Sequence, residues 1–147
     1  MRTISAITLS LILLTPVTAA ADEAARMTLY KNPQCGCCEG HAEHLRQNGF
    51  DVEVIATHDL PLIKQEHQVP MELAGCHTIE VNGYVIEGHV PADVIKRLLA
   101  ERPDIEGISL PGMPTGSPGM GGPKTEPFTI YTFGGEDAVE PQIYAVE

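Results

Sequence analysis

The fold is decided by residues 27–45, which read MTLYKNPQCGCCEGHAEHL. Residues 27–30 are apolar or β-prone and predict a short strand. From Cys38 onward, apolar residues recur at helical spacing through Ala42 and Leu45, which predicts a helix. A strand is therefore expected to pass into a helix at a turn that carries three of the chain's four cysteines.

The following residues continue this alternation. Residues 52–55 predict a second strand, and a second helix is expected from Asp59 to about His67, burying Leu60 and Ile63. Asn82-Gly83 lies between two alternating runs and predicts a hairpin, because this dipeptide favours the turn that matches the twist of paired strands. A final helix is expected between Pro91 and Pro103. The order βαβ, helix, ββα predicts an α/β fold of the thioredoxin-like class.

The tail differs in composition from the rest. Residues 110–123 are rich in glycine and proline and contain Met113 and Met120, so they predict neither a helix nor a central strand. Within residues 124–147, two short β-prone runs predict a strand pair that returns to a sheet edge. We therefore expect a thioredoxin-like domain at 25–109, a Gly/Pro/Met-rich loop at 110–123 and a C-terminal strand pair packed on the domain.

The beginning of the chain has the pattern of a targeting segment. Residues 1–21 contain a basic start, an apolar stretch and small residues before Asp22, which are the three regions of a cleavable secretory signal peptide. No later segment is apolar enough to span a bilayer. Export would place the cysteines in an oxidising compartment, such as the periplasm.

The charge balance limits the partners. Nine Lys and Arg face 20 Asp and Glu, giving a formal net charge of −11. Binding to nucleic acid requires a basic patch, and no segment clusters Lys or Arg. Nucleic acid is therefore not an expected partner, and the acidic side chains are assigned to the solvated surface.

The cysteines carry the chemistry that the sequence predicts. Cys35 and Cys38 have the Cys-x-x-Cys spacing at a strand-to-helix junction, where free amide groups and the helix dipole stabilise a thiolate. That spacing supports thiol–disulfide exchange, but Cys37 between them would offer a route to wrong disulfides, and metal binding explains it better. Cys76 is remote in sequence and joins the three only through folding. A structural Cys38–Cys76 or Cys35–Cys76 bridge is the alternative.

The expected metal is copper. Thiolate and thioether donors select Cu(I), or zinc in a tetrahedral site, and Met113 and Met120 are thioether donors of which zinc makes little use. Several thiolates close together would carry a large negative charge, which a multinuclear group of cuprous ions would cancel. His77 and His89 are candidate additional ligands.

Several motifs together resemble the periplasmic CopG-type copper-resistance proteins. These motifs are Cys35-Gly36-Cys37-Cys38, Cys76-His77-Thr78, Gly83 to Pro91, Pro111 to Pro114 and Gly116 to Met120. The resemblance implies a thioredoxin-like fold and copper held as a thiolate cluster, with Cys35, Cys37, Cys38 and Cys76 carried over as the metal thiolates. His77, His89, Met113 and Met120 also match the family pattern. One departure is His41, where the family commonly has tryptophan.

The sequence and the resemblance together predict a periplasmic copper-binding protein that holds Cu(I) in a cysteine thiolate cluster. The resemblance further implies a role in copper tolerance and interconversion of Cu(I) and Cu(II). The expected partners are copper ions and other periplasmic copper-handling or electron-transfer proteins. The alternative is a thiol–disulfide oxidoreductase with Cys35 as nucleophile and Cys38 as resolving thiol, and a zinc-binding or structural interaction module also remains open.

Overall fold

The structure is a computed structural model that describes residues 24–135 and 140–147. The predicted signal peptide, residues 1–21, lies outside the described residues. Within them the chain forms, in order, β1 (Arg26–Lys31), α1 (Gly36–Gln47), β2 (Asp51–Ala56), α2 (Leu60–Glu66), a short 3-10 turn (Met71–Leu73), β3 (His77–Val81), β4 (Tyr84–Gly88), α3 (Ala92–Glu101), β5 (Gly107–Leu110), β6 (Thr129–Phe133) and β7 (Ile143–Val146).

All these strands belong to one seven-stranded sheet in the order β2-β1-β3-β4-β5-β6-β7. β1 runs parallel to β2 and β4 parallel to β5, and a helix connects the two strands of each pair. The remaining neighbours are antiparallel. The predicted order βαβ, helix, ββα is present and the α/β class is confirmed, while the thioredoxin-like classification stays a prediction.

The core lies between the sheet and the apolar faces of α1 and α3. The stripe predicted for α1 is fully buried at Cys38, Ala42 and Leu45. α3 buries Val94, Ile95 and Leu98 among other residues. Full burial of each large aliphatic side chain contributes about 1.5–3 kcal/mol, so these two faces hold the helices on the sheet.

The prediction that α2 buries Leu60 and Ile63 is wrong, because neither side chain is fully removed from solvent. Both side chains are only half-buried, and no residue of α2 is buried. The helix has seven residues, too few to present a full apolar stripe to the sheet. α2 instead contributes Lys64, which pairs with the buried Glu87 side chain on β4.

β5 is the strand that the sequence did not predict. It has four residues, all buried, and lies in the interior of the sheet between β4 and β6. A short strand buried on both faces lacks the alternation that identifies half-exposed strands, and Ser109 interrupts its apolar run. Its last residue, Leu110, is the first residue of the predicted loop 110–123.

The predicted return of the tail to the sheet is confirmed. β6 pairs antiparallel with β5, and β7 pairs antiparallel with β6 at the end of the sheet order. Between β5 and β6, the glycine-rich loop packs on α1. A Cβ built at Gly119, which has φ +87°, would lie 2.5 Å from His41 N and 2.6 Å from Cys37 O. Only glycine allows the loop to approach the helix so closely.

No helix in residues 24–135 and 140–147 has both the length and the apolar character needed to cross a bilayer.

The contact at Gly119 can be tested with a matched glycine. Gly112 has a similar φ of +80° but has no atom near a Cβ built there, so Gly112→Ala should cost only the backbone strain of about 1–2 kcal/mol. Gly119→Ala should reduce the free energy of unfolding by clearly more, because the added methyl group collides with α1. Urea unfolding of both variants measures the difference, and equal losses would contradict the close approach.

Candidate metal centre

The pairing of β1 with β3 brings the remote cysteine to the cysteine-rich turn. β1 ends at Lys31, and Lys31 pairs with His77 at the start of β3. The turn that follows β1 leads directly into α1, and the residue before β3 is Cys76. The two cysteine-bearing segments therefore meet at one end of the sheet.

The buried ammonium group of Lys31 holds the turn in place. Lys31 is 3% exposed, and its Nζ donates to the carbonyl oxygen of Cys35 at 3.2 Å and lies 3.1 Å from Glu39 Oε1. The turn is closed by Cys35 N–H, which donates to Asn32 O at 2.9 Å. The lysine therefore fixes the backbone from which Cys35 enters the helix.

The four cysteine sulfur atoms form one group. Cys35, Cys37, Cys38 and Cys76 place their Sγ atoms within 4.8 Å of one another. Cys35 Sγ is 3.5 Å from Cys37 Sγ, and Cys38 Sγ is 3.6 Å from Cys76 Sγ. Cys38 is fully buried and the other three are half-buried. The structure thus places the fourth cysteine beside the other three.

Two of these cysteines are joined by a disulfide, Cys35–Cys38. Cys37 and Cys76 are free thiols. The pairing is the Cys-x-x-Cys pairing and not either of the alternative bridges to Cys76. In this state two of the four sulfur atoms are unavailable as thiolates, so reduction is required before all four can bind a metal ion together.

Two predicted histidines lie on the other side of Cys76. Its Sγ atom is 3.2 Å from His77 Nδ1 and 3.0 Å from His89 Nε2. Both imidazoles are fully buried. Cys76, His77 and His89 form a second group whose ligand atoms lie within 4.8 Å of one another. Cys76 is therefore shared by a group of sulfur atoms and a group with two imidazoles.

His41 extends the second group into the protein interior. Its Nδ1 is 2.7 Å from His77 Nε2, and its Nε2 donates to the carbonyl oxygen of Val90 at 2.9 Å. The sequence could not decide whether this histidine is a donor near the site or a packed ring. The structure places it, fully buried, as the hydrogen-bond partner of His77, and it belongs to neither of these two groups of candidate ligands.

Burial keeps these groups neutral. It lowers the pKa of His41 to about 3, lowers the pKa of His77 well below its usual value and lowers that of His89. Burial, together with the neighbouring Cys37, raises the pKa of the Cys76 thiol to about 12. Near neutral pH Cys76 and these three histidines are therefore uncharged, and an ion that binds Cys76 must displace a proton.

The two predicted methionine ligands are placed less directly. Met113 is 42% exposed. Met120 is half-buried and follows Gly119, which contacts α1 at the cysteine-bearing turn of the helix. The structure thus brings the backbone near Met120 to the centre and leaves Met113 partly exposed to solvent.

A buried charged pair positions Cys76, and the sequence did not reveal it. The Glu87 side chain is fully buried, and its Oε2 accepts hydrogen bonds from Lys64 Nζ at 2.6 Å and from Gly75 N–H at 2.8 Å. The Thr78 hydroxyl donates to Glu87 Oε1. Glu87 was expected at the surface with the other acidic residues. Instead it holds the Gly75 backbone and the Thr78 side chain, one on each side of Cys76, against β4.

The fold and this centre define a mixed α/β protein in which four cysteines and two histidines converge at one end of the sheet. Residues 73–120 match the family described as a protein of unknown function, DUF411. Two solved structures, titled copper resistance protein CopG, form 2 and form 1, are each 33% identical to the chain. Each covers 85% of this chain, with TM-scores of 0.78 and 0.76, and the matches span 99% and 98% of those chains. No curated protein matches the chain.

On this similarity, the chain belongs to the family of the copper resistance protein CopG. The resemblance inferred from the sequence motifs is confirmed.

The buried pair generates a stability prediction. Lys64→Met leaves the Glu87 carboxylate buried without its cation, and such a loss costs about 3–5 kcal/mol of the free energy of unfolding. In Lys64→Met/Glu87→Gln, the amide oxygen can still accept from Gly75 N–H without a buried charge, so part of the loss should be recovered. Urea unfolding at pH 7 measures both.

Lys96→Met is the matched control, because Lys96 pairs with Asp93 at 3.7 Å on the exposed surface. It should change the free energy of unfolding by no more than about 0.5 kcal/mol. A Lys64→Met loss as small as that of the control would contradict the positioning role of Glu87.

Proposed function

We propose that the chain is a copper-binding protein of copper tolerance that holds Cu(I) at Cys35, Cys37, Cys38 and Cys76. The observation that carries the proposal is the convergence of four sulfur atoms, from two distant segments, within 4.8 Å of one another. Sulfur donors select Cu(I) over the harder cations. The solved structures of the copper resistance protein CopG support the choice of copper.

Reduction of the Cys35–Cys38 disulfide prepares the site. It supplies two further thiols next to Cys37 and Cys76, and each thiol loses its proton when it binds metal. Four thiolates in such a small space repel one another, so several cuprous ions with bridging sulfur atoms are the arrangement that balances the charge. A multinuclear Cu(I) cluster is therefore the proposed cargo.

The neighbouring donors extend the proposal. His77 and His89 adjoin Cys76 and are proposed as additional ligands, and Met113 and Met120 are proposed as thioether donors from the loop. Imidazole favours Cu(II) more than sulfur does, so the proposed interconversion of Cu(I) and Cu(II) would use these histidines. Each oxidation of Cu(I) releases one electron, for which an electron-transfer partner is the proposed acceptor.

The location of the protein is part of the same proposal. Residues 1–21 are proposed to be a cleaved signal peptide, which would deliver the protein to the periplasm and give it access to periplasmic copper-handling partners. The mature chain would comprise the metal-binding domain at 25–109, the loop at 110–123 and the strand pair at 124–147.

Anaerobic titration of the reduced protein with Cu(I), against a chromophoric Cu(I) chelator, tests the proposal. We expect at least one tightly bound Cu(I) per chain, and Cys76→Ser should weaken binding by about tenfold or more because a ligand is lost. His58→Gln is the control, since His58 is exposed. Less than one tightly bound copper per chain in the reduced protein would refute copper binding at this site.

The Cys35–Cys38 disulfide favours thiol–disulfide exchange as a second candidate function. It joins Cys35, at the N-cap position of α1, to the buried Cys38 in the first turn. A helix N-terminus stabilises the thiolate that exchange requires. Against it, Cys37 lies 3.5 Å from Cys35 Sγ and offers a competing partner.

Insulin reduction by the metal-free protein separates the two functions. If copper binding is the function, we expect turnover close to that of Cys35→Ser. The neighbouring Cys37 thiol would compete for any disulfide that Cys35 forms with the substrate. Strong turnover that disappears on loading with Cu(I) would instead favour the oxidoreductase.

A further inference from the structure

The second ligand group contains fewer protons than its hydrogen bonds require. His89 Nδ1 is 2.6 Å from the carbonyl oxygen of Pro118. A carbonyl oxygen can only accept, so His89 Nδ1 carries the proton of the neutral ring and His89 Nε2 faces Cys76 as a bare lone pair.

The same reasoning fixes His77 through His41. His41 Nε2 must donate to Val90 O, so His41 Nδ1 is bare and accepts from His77 Nε2–H at 2.7 Å. The other nitrogen of His77, Nδ1, is then bare as well and points at Cys76. Two imidazole lone pairs and one sulfur atom therefore converge with a single proton, that of the Cys76 thiol.

One thiol proton can serve only one of the two nitrogen atoms, so the other buried nitrogen has no donor. A cation resolves this conflict because it replaces the proton and accepts all three lone pairs. The distances of 3.0 and 3.2 Å from Cys76 Sγ to the two nitrogen atoms lie near the edge of about 3.5 Å expected in a tetrahedral site.

We propose that, while the Cys35–Cys38 disulfide is closed, the chain binds one divalent cation at Cys76 Sγ, His77 Nδ1 and His89 Nε2. One thiolate and two imidazoles suit borderline cations such as Cu(II), Zn(II) and Co(II). The inference extends the proposed function, and rests on it, through the shared ligand Cys76. Opening of the disulfide supplies soft sulfur donors next to Cys76, so reduction favours soft ions at the sulfur group over a divalent ion at the group with two imidazoles.

His77 is oriented by its hydrogen bond to His41, which in turn donates to Val90 O, and His89 is oriented by its hydrogen bond to Pro118 O. Such outer hydrogen bonds fix the tautomer and increase the basicity of the ligating nitrogen. His41 is thus a positioning residue that acts through His77. The Pro118 carbonyl belongs to the loop that packs on α1, so the loop also contributes to the site.

Co(II) is the probe for the test, because it does not oxidise thiols and its spectrum reports thiolate ligation. The disulfide form, with two free thiols verified by thiol counting, is titrated anaerobically. We expect one Co(II) per chain with a thiolate charge-transfer band and the intense ligand-field bands of tetrahedral geometry. Zn(II) should displace it. The absence of Co(II) binding by the disulfide form overturns the inference.

Variants assign the ligands. Cys76→Ser should abolish the charge-transfer band, and His89→Gln should weaken binding by about tenfold or more. His58→Gln should retain the band and bind within about threefold of the wild type. Loss of binding in Cys37→Ser as large as that in His89→Gln would overturn the assignment, since it would indicate a pair of thiolates instead.

A measurement on the wild type guards against misfolded variants. In isotope-labelled disulfide protein, Zn(II) should shift the nitrogen signals of His77 Nδ1 and His89 Nε2, while the N–H protons on their opposite nitrogens persist. Unchanged signals at saturating Zn(II) would overturn the inference. These experiments use the disulfide form, whereas Cu(I) binding is tested on the reduced form, so a failure of this inference can be distinguished from a failure of the proposed function.

Discussion

The centre depends on one buried carboxylate. Glu87 accepts the Gly75 N–H on one side of Cys76 and the Thr78 hydroxyl on the other, while Lys64 balances its charge. A buried carboxylate without these donors would cost free energy, so we expect the hydrogen bonds from Lys64, Gly75 and Thr78 to Glu87 to form together. Their formation holds Cys76 at the end of β3, next to the turn that carries the other three cysteines.

Cys76 lies between two chemically different halves of the centre. On one side are sulfur atoms, two of them joined in a disulfide, and on the other side are two neutral imidazoles. The sulfur half matches Cu(I), and the half with imidazoles matches a divalent ion. On the two proposals above, the state of the Cys35–Cys38 pair decides how many soft donors compete for Cys76, so the redox state of the protein and the ion that it prefers would be coupled.

Much of the fold could be predicted from local patterns. The Asn82-Gly83 turn has the positive φ angles of 47° and 86° that its hairpin requires, and the α1 stripe is buried as its spacing predicts. β5 could not be predicted, because four residues buried on both faces carry no periodicity. Glu87 could not be predicted either, since its partners on α2 and before β3 are brought together only by the folded sheet.

The sequence grouped the cysteines by their chemistry, and the pairing of β1 with β3 explains why Cys76 joins them. The link between Pro118 and His89 has a wider consequence. The Pro118 carbonyl selects the tautomer of His89 that has its proton on Nδ1. An ion bound at Nε2 favours the same tautomer, so by reciprocity it must hold the loop more firmly against α1. The rate at which a protease cuts between Pro111 and Pro123 would therefore fall as ions occupy the centre. The exposure of this surface loop to proteolysis would thus depend on the occupancy of a buried site.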